Sequence, residues 1–505
     1  MRVVLAGDHA GLEMRQHLAS IATSLGHEVM LVGPVEGERV DFPIAAKALC
    51  GEIMAGRAHR GILLCGSGAG MTMAANRFPG IRAATAHDTY TAHQMVEHDA
   101  ANVLTLGTRV IGSESAGEIV RAFLSADFQP VDRYRRRLQQ IIDIERDRTM
   151  NPLHELTSAG QAVWLDYIRR DILDDGTLAK YIANLCVTGL TSNPSIFDKA
   201  ISGSELYDEA IEGDDAESIF FDLAIDDLGR AADLLRTAWD VSNGTDGCVS
   251  LEVSPLLAAD AATTIEQGVA LFARAGRPNL MIKVPGTPEA PEAVEELVFR
   301  GVNVNITLLF DDVQYRRAAE AYIRGIERRL EAGLDANVFS VASVFVSRWD
   351  TPTADQVGEA FANRLGIACA TQCHRSCEEI FGSDRFKAIE AKGGHRQKLL
   401  MASTSTKDPS LPDTLYVQAL AARDSINTIP EATLLAFADH GTVDHVLGAD
   451  DWAEADRVIA GCEAAGVDVR GLAEKLQAEG AEAFVKSWRN LLQTIDTKLG
   501  NLAAH

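Results

Sequence analysis

No uninterrupted apolar run in this 505-residue chain approaches the roughly 20 residues a bilayer-crossing helix needs, so no membrane-spanning segment is expected. The opening Met1-Arg2-Val3-Val4-Leu5-Ala6-Gly7-Asp8 runs straight into a strand pattern, with no charged-then-apolar leader and no cleavage site. Paired cysteines are missing too. Cys50, Cys65, Cys186, Cys248, Cys369, Cys373, Cys377 and Cys462 are scattered, which argues against a disulfide framework and for a reducing compartment. A cytoplasmic location is the expectation. Basic residues are in deficit: 47 Lys and Arg face 72 Asp and Glu, a net charge of −25. That balance excludes general nucleic-acid binding and makes any anion-binding group a local exception.

What is present is core-forming material, 47% hydrophobic against 24% charged, in a chain long enough for two or three soluble domains. From Met1 to about residue 148, short apolar strands alternate with amphipathic stretches. The strands are Arg2 to Ala6, Glu28 to Val32, Gly61 to Cys65, Ile81 to Ala86 and Val103 to Leu106. That spacing predicts a doubly wound, Rossmann-like parallel sheet, which binds ligands beyond the carboxyl ends of its strands. Two such ends are chemically loaded: Gly7-Asp8-His9-Ala10-Gly11 and Cys65-Gly66-Ser67-Gly68-Ala69-Gly70-Met71. In the second, glycines let backbone amides approach an anion, and a cysteine there can serve as a base beside an oxyanion cradle.

The basic run Arg133 to Arg137 leads through a helical segment to Thr149-Met150-Asn151-Pro152, where Asn-Pro favours a break. The domains are therefore drawn as 1–150 and 151–505. In a chain this acidic, the basic run suits local phosphate binding and a solvated helix face.

Beyond the break, eight candidate strands appear: Ala162 to Tyr167, Cys186 to Thr191, Cys248 to Val253, Leu280 to Val284, Val302 to Leu308, Val338 to Phe345, Leu399 to Ser403 and Ile426 to Ile429. With helical stretches between most of them, this is the count of an eight-stranded α/β barrel. Several strands carry polar groups near their ends, and Leu280-Met281-Ile282-Lys283-Val284 places a lysine among apolar residues. In a closed barrel such groups converge on one mouth, and a lysine desolvated there is a Schiff-base candidate. Cys369, Cys373 and Cys377 recur every four residues beside His374; a metal site or a buried stripe of small side chains fits that spacing. The absence of paired two-residue gaps favours the stripe.

Three motifs in order carry a resemblance across residues 151–505: Val187-Thr188-Gly189-Leu190-Thr191-Ser192-Asn193-Pro194-Ser195-Ile196-Phe197, Leu280 to Thr287, and Gly301 to Phe310. They resemble transaldolase. The resemblance implies a Schiff base on Lys283 that moves a dihydroxyacetone unit from sedoheptulose 7-phosphate to glyceraldehyde 3-phosphate. Asp166 would be the general acid/base, and Glu252 and Thr307 would manage the water of imine formation. Asn193, Asn305 and Ser343 would orient the three-carbon unit, Ser195 and Phe345 would line the pocket, and Arg348 with Lys407 would hold the acceptor phosphate.

A second resemblance covers residues 1–148. The two loops above, with Ala74-Ala75-Asn76-Arg77-Phe78-Pro79-Gly80-Ile81-Arg82-Ala83 and Asn102 to Gly112, are similar to ribose-5-phosphate isomerase type B. It implies Cys65 as the base interconverting ribose 5-phosphate and ribulose 5-phosphate, aided by Ser67, with Gly66, Gly68 and Gly70 lining the oxyanion pocket. Asp8, His9 and Asp41 would hold sugar or phosphate oxygens, His98 would open the furanose ring, and Arg109, Arg133 and Arg137 would bind phosphate. The family assembles its site at a dimer interface, so a homodimer or larger is implied. The chain departs from the family at His98-Asp99-Ala100, where His-Asn-Asp is usual, at Tyr134 in place of histidine, and at Ser67 in place of threonine. A carboxylate at position 99 opposes an oxyanion.

The expectation is thus a bifunctional enzyme of non-oxidative pentose phosphate metabolism, acting on small sugar phosphates and needing no metal or organic cofactor. In the alternative, the N-terminal half isomerises another sugar phosphate or serves as a weakly active dimerisation or binding module.

Overall fold

The computed structural model describes residues 1–34, 39–149 and 151–502, and the chain separates into two compact units, Met1–Met150 and Asn151–His505. Of the connecting Thr149-Met150-Asn151-Pro152, Met150 lies outside the described residues.

In the first unit, β1 (Arg2–Gly7), β2 (Glu28–Leu31), β3 (Arg60–Cys65), β4 (Ala83–Thr85) and β5 (Val103–Gly107) form one parallel sheet in the order β2-β1-β3-β5-β4. Alternation divides its apolar residues between two faces. Val3, Leu5, Ile62, Leu64, Leu104 and Leu106 pack with Leu18 and Phe123. Val4, Ala6, Leu63, Cys65 and Val103 pack with Leu49 and Met71. The chain passes from β1 outward to β2 and returns to β3 on the other side, so the crevice between β1 and β3 is the topological switch point, and the loops of Asp8 and Cys65 flank it.

The second unit is a closed parallel barrel of eight strands: β6 (Gln161–Leu165), β7 (Val187–Leu190), β8 (Val249–Glu252), β9 (Leu280–Pro285), β10 (Val304–Leu309), β11 (Ser340–Phe345), β12 (Lys398–Ala402) and β13 (Ser425–Ile429), with β13 pairing back to β6. All eight fall where the sequence places them, with ends shifted by a few residues. Carboxylate caps start the long outer helices: Asp215 accepts from the Ser218 amide ahead of Ala216–Val241, and Asp311 from Gln314 ahead of Asp312–Glu331.

The interior is layered by the two-residue period of a strand. Trp164, Cys248, Met281, Val341, Leu400 and Ile426, all fully buried, fill the lower barrel. Two residues further along the same strands come Asp166, Ser250, Lys283, Ser343, Ala402 and Thr428. The apolar plug thus ends where the polar layer begins. Gly189 makes room for the plug, since a Cβ there would stand 2.3 Å from the Trp164 ring.

The helix Leu365–Phe381 buries Cys369, Cys373 and Cys377 on its inner face. Burial pushes all three thiols above the ordinary cysteine range. Ala449–Ala464 and the 34-residue Val469–Leu502 complete the chain. Among the described residues, no helix is long and apolar enough to cross a membrane.

Candidate active sites

At the carboxyl end of the barrel strands lies a cavity of about 210 Å³, lined by Asp166, Asn193, Ser195, Lys283, Thr307, Ser343, Phe345, Arg348 and Lys407 among others. Strand register puts Glu252, Lys283 and Asn305 side by side on β8, β9 and β10. The Lys283 amine donates to the Ser192 carbonyl at 3.0 Å and stands 3.3 Å from Glu252 Oε2. Both side chains are about 5% exposed, so this ion pair is shielded from solvent.

Two carboxyls therefore share one cation. Burial pushes Asp166 above its ordinary range, partly countered by the Lys283 charge and by the Thr191 hydroxyl donating to Asp166 Oδ1 at 2.7 Å. Burial likewise raises Glu252, again countered by Lys283. Neither Glu252 oxygen takes a hydrogen bond, and Thr307 Oγ1 has none either. Buried polar atoms without partners are costly, and these surround a polar cavity fit to hold water or a substrate hydroxyl.

Glu252 and Asn305 lie just behind the cavity wall. Ser343 donates to Asn305 Oδ1 at 2.7 Å, and the Asn305 amide donates to Ser250 Oγ at 3.0 Å, which fixes the amide orientation. Asn193 caps the helix Pro194–Ser202 by accepting from the Ile196 amide, so its side chain is part of the turn at the mouth. Arg348 lies with its guanidinium carbon 4.9 Å from the centre of the Phe345 ring, and Lys407 is exposed at the rim. The sequence reading did not assign Thr191, Ser403, Ser405, Thr428 or Phe484 to the site, yet all line the cavity. Thr428 was accessible through its inward alternation on β13. Phe484 reaches Lys283 from a helix about 200 residues later, and no local pattern announces that.

In the first unit the Cys65 thiol, 5% exposed, accepts from the Gly68 amide at 3.2 Å. Gly68 holds φ +83°, and a Cβ there would lie 3.0 Å from Thr85. Arg109 crosses the loop, with its Cδ 3.6 Å from the Gly66 Cβ position and its amide donating to the Gly66 carbonyl. Asp8 is buried and accepts from the Ala10 amide at 2.9 Å, while His9 and Ser67 are exposed beside it. Asp41 precedes Phe42, whose ring is 3.1 Å from the Gly70 Cβ position. Asp8, His9, Asp41, Cys65, Ser67, Gly66, Gly68, Gly70 and Arg109 are thus grouped around the switch point.

His98, Arg133 and Arg137 are not with them. The helix Thr89–Asp99 ends at the amino ends of the strands, since Asn102, just beyond it, accepts from Gly61 at the start of β3. Cys65 is four residues further up that strand, paired with Gly107, about 13 Å of strand away. There His98 Nε2 meets the Tyr134 hydroxyl at 2.7 Å with the rings stacked 4.1 Å apart, and Arg133 donates to the same hydroxyl. Arg137 is exposed one turn along the helix Asp132–Thr149. Asp99 is exposed and lines a separate cavity of about 470 Å³ with Arg77, Arg82 and Glu145.

A closed α/β barrel holding one shielded lysine between two carboxyls, above an apolar plug, defines an enzyme of carbonyl and carbon–carbon-bond chemistry. Residues 163–495 match the family model Transaldolase/Fructose-6-phosphate aldolase, and residues 3–141 match Ribose/Galactose Isomerase. The transaldolase of Frankia alni is 44% identical over 363 residues, spanning 69% of this chain and 98% of that protein. That of Thermobifida fusca is 41% identical over 370 residues, 70% and 99% respectively. Among solved structures, type B ribose 5-phosphate isomerase of Trypanosoma brucei is 38% identical, covering 28% of this chain and 97% of that one, with a TM-score of 0.28. The chain belongs to the transaldolase family and carries an isomerase-family domain ahead of the barrel.

Proposed function

We propose that Lys283 attacks the carbonyl of a ketose phosphate and carries a dihydroxyacetone unit from sedoheptulose 7-phosphate to glyceraldehyde 3-phosphate. The observation behind this is the shielded Lys283–Glu252 pair with Asp166 across the same cavity. Asp166, raised above its ordinary range by burial, takes the proton of the C4 hydroxyl as the C3–C4 bond breaks and returns it when the acceptor adds. Glu252 and Thr307, whose buried side-chain oxygens take part in no hydrogen bond, hold the water that leaves on imine formation. Asn193, Asn305 and Ser343 orient the three-carbon unit, Ser195 and Phe345 bound it, and Arg348 with Lys407 receives the acceptor phosphate at the rim.

In the first unit Cys65 shuttles a proton between C1 and C2 of an open-chain pentose phosphate, ribose 5-phosphate to ribulose 5-phosphate. Amides of the Gly66–Gly70 loop face the enediolate oxygen, and Ser67 assists. Asp8, His9, Asp41 and Arg109 hold the remaining oxygens. Because His98, Arg133 and Arg137 sit at the opposite strand ends, they serve the Cys65 site of a second copy, and the working unit is at least a homodimer. The eight free cysteines suit a reducing, cytoplasmic setting.

The deciding experiment measures ribulose 5-phosphate formation and dihydroxyacetone transfer by the whole protein, Cys65→Ala and Lys283→Ala. Each variant is expected to lose one activity and keep the other. Whole protein that transfers but isomerises no pentose phosphate, in a panel with tetrose and hexose phosphates, would assign the first unit to another sugar or to binding alone.

A further inference from the structure

We propose that Phe484 determines the fate of the three-carbon intermediate, reserving it for an aldehyde acceptor instead of release as free dihydroxyacetone. This rests on the Lys283 Schiff-base reading and adds a specificity residue from outside the barrel strands. The Phe484 ring centre lies 5.7 Å from Lys283 Nζ, and the side chain is 4% exposed.

The helix Val469–Leu502 that carries it is pinned to the mouth on both sides of the ring. Two turns earlier, the buried Gln477 amide donates to the carbonyls of Gly286 and Leu308, each at 2.8 Å. Those carbonyls stand at the carboxyl ends of the strands bearing Lys283 and Thr307. One turn later, the Ser487 hydroxyl lies 2.7 Å from that of Ser195, just beyond β7. Trp488 then packs against Phe220 and Phe221, with ring centroids 4.9 and 5.7 Å apart. Phe484 is therefore a fixed wall.

The need for such a wall follows from the rest of the lining. Asp166, Thr191, Asn193, Ser195, Thr307, Ser343, Ser403, Ser405 and Thr428 all offer hydrogen bonds to water. Phe345 is engaged by the Arg348 guanidinium. Phe484 is the aromatic side chain set against the amine itself.

Cleavage of the C3–C4 bond releases the aldose and leaves a dihydroxyacetone enamine on Lys283. Two routes lead onward. In transfer, the enamine carbon bonds to the acceptor aldehyde carbon, whose oxygen takes a proton, and the product imine is hydrolysed. In release, the same carbon takes a proton, water adds to the resulting iminium carbon, and the carbinolamine expels the lysine as dihydroxyacetone leaves. The water consumed equals that lost when the imine formed, so donor yields aldose plus dihydroxyacetone. An apolar ring beside the nitrogen keeps off the water that would protonate the enamine carbon, the step that only release requires, while the acceptor enters from the Arg348 and Lys407 side.

The test uses the full chain with sedoheptulose 7-phosphate, with and without glyceraldehyde 3-phosphate. It measures free dihydroxyacetone, transferred product, and the Lys283 adduct trapped by borohydride. In Phe484→Ala the ratio of release to transfer is expected to rise about tenfold with trapping intact, and Phe484→Leu to fall between that variant and wild type. If Phe484→Ala does not fold, Phe484→Leu alone decides. A ratio within about twofold of wild type in the folded variants, with Lys283 still trapped, overturns the proposal and spares the Schiff-base reading. Absence of any Lys283 adduct in wild type sinks that reading and this one together.

Discussion

Lys283 Nζ and Glu252 Oε2 face each other at 3.3 Å with almost no solvent reaching either. Burial holds Glu252 above the ordinary carboxylate range even with the lysine beside it, so it keeps a proton more readily than an exposed carboxyl does.

Glu252→Gln keeps the shape and removes the proton, so kcat for transfer is expected to fall on the order of 10²-fold while borohydride still traps a slowly formed Lys283 adduct. Lys283→Arg abolishes the adduct outright. Since Asp166 is also raised, the acidic limb of the transfer pH profile should lie above the ordinary carboxylate value of about 4. A limb at or below that value would exclude both carboxyls from the proton transfers.

The separation of His98 from Cys65 makes the second prediction. Cys65→Ala and His98→Asn should each be inactive as isomerases. If each site draws on two copies, co-refolding them in equal amounts restores about a quarter of the wild-type sites, because half the dimers are mixed and each mixed dimer has one intact site. No recovery would place both residues' contributions within one copy.

Stability should carry its own pH signature from Asp350. Burial lifts this carboxyl to about 6, against the Tyr416 hydroxyl that donates to it. The folded-state pKa is above the unfolded one, so the site's stability is complete below pH 4 and declines as pH rises through 6. Asp350→Asn, which still accepts from Tyr416, should melt above wild type at pH 8 and match it below pH 4. An unchanged gap across that range would refute the assignment.

Legibility in the sequence followed locality. The barrel strands were readable because apolar runs between turn signals encode them directly, and Asp166, Lys283, Thr307 and Ser343 announced themselves as polar residues in those runs. Closure was not written in any strand; it appears in the pairing of β13 with β6. Phe484, Gln477 and Ser487 belong to an amphipathic helix whose pattern states that one face is buried, not what that face meets. The placement of His98 was equally hidden. Its motif is local, whereas its position at the amino ends of the strands follows from the direction of a helix within the sheet.

Gly68 gives the sharpest separation of the two units' chemistry. Its φ of +83° lies where a Cβ is strained, and that Cβ would also approach Thr85 within 3.0 Å. The position beneath is rigid, because Thr72, Thr85 and Thr105 close a triangle of hydroxyl contacts of 2.5–2.8 Å, and Thr72 also donates to the Gly68 carbonyl. Gly68→Ala must therefore move the loop rather than its support, turning the Gly68 amide away from Cys65 Sγ. A backbone strain of about 1–2 kcal/mol is expected, too little to unfold the sheet but enough to misplace the loop amides beside Cys65. Isomerase kcat should fall at least about tenfold with transfer by the barrel unchanged. Equal loss of both activities would mean the substitution acts through folding and not through the loop.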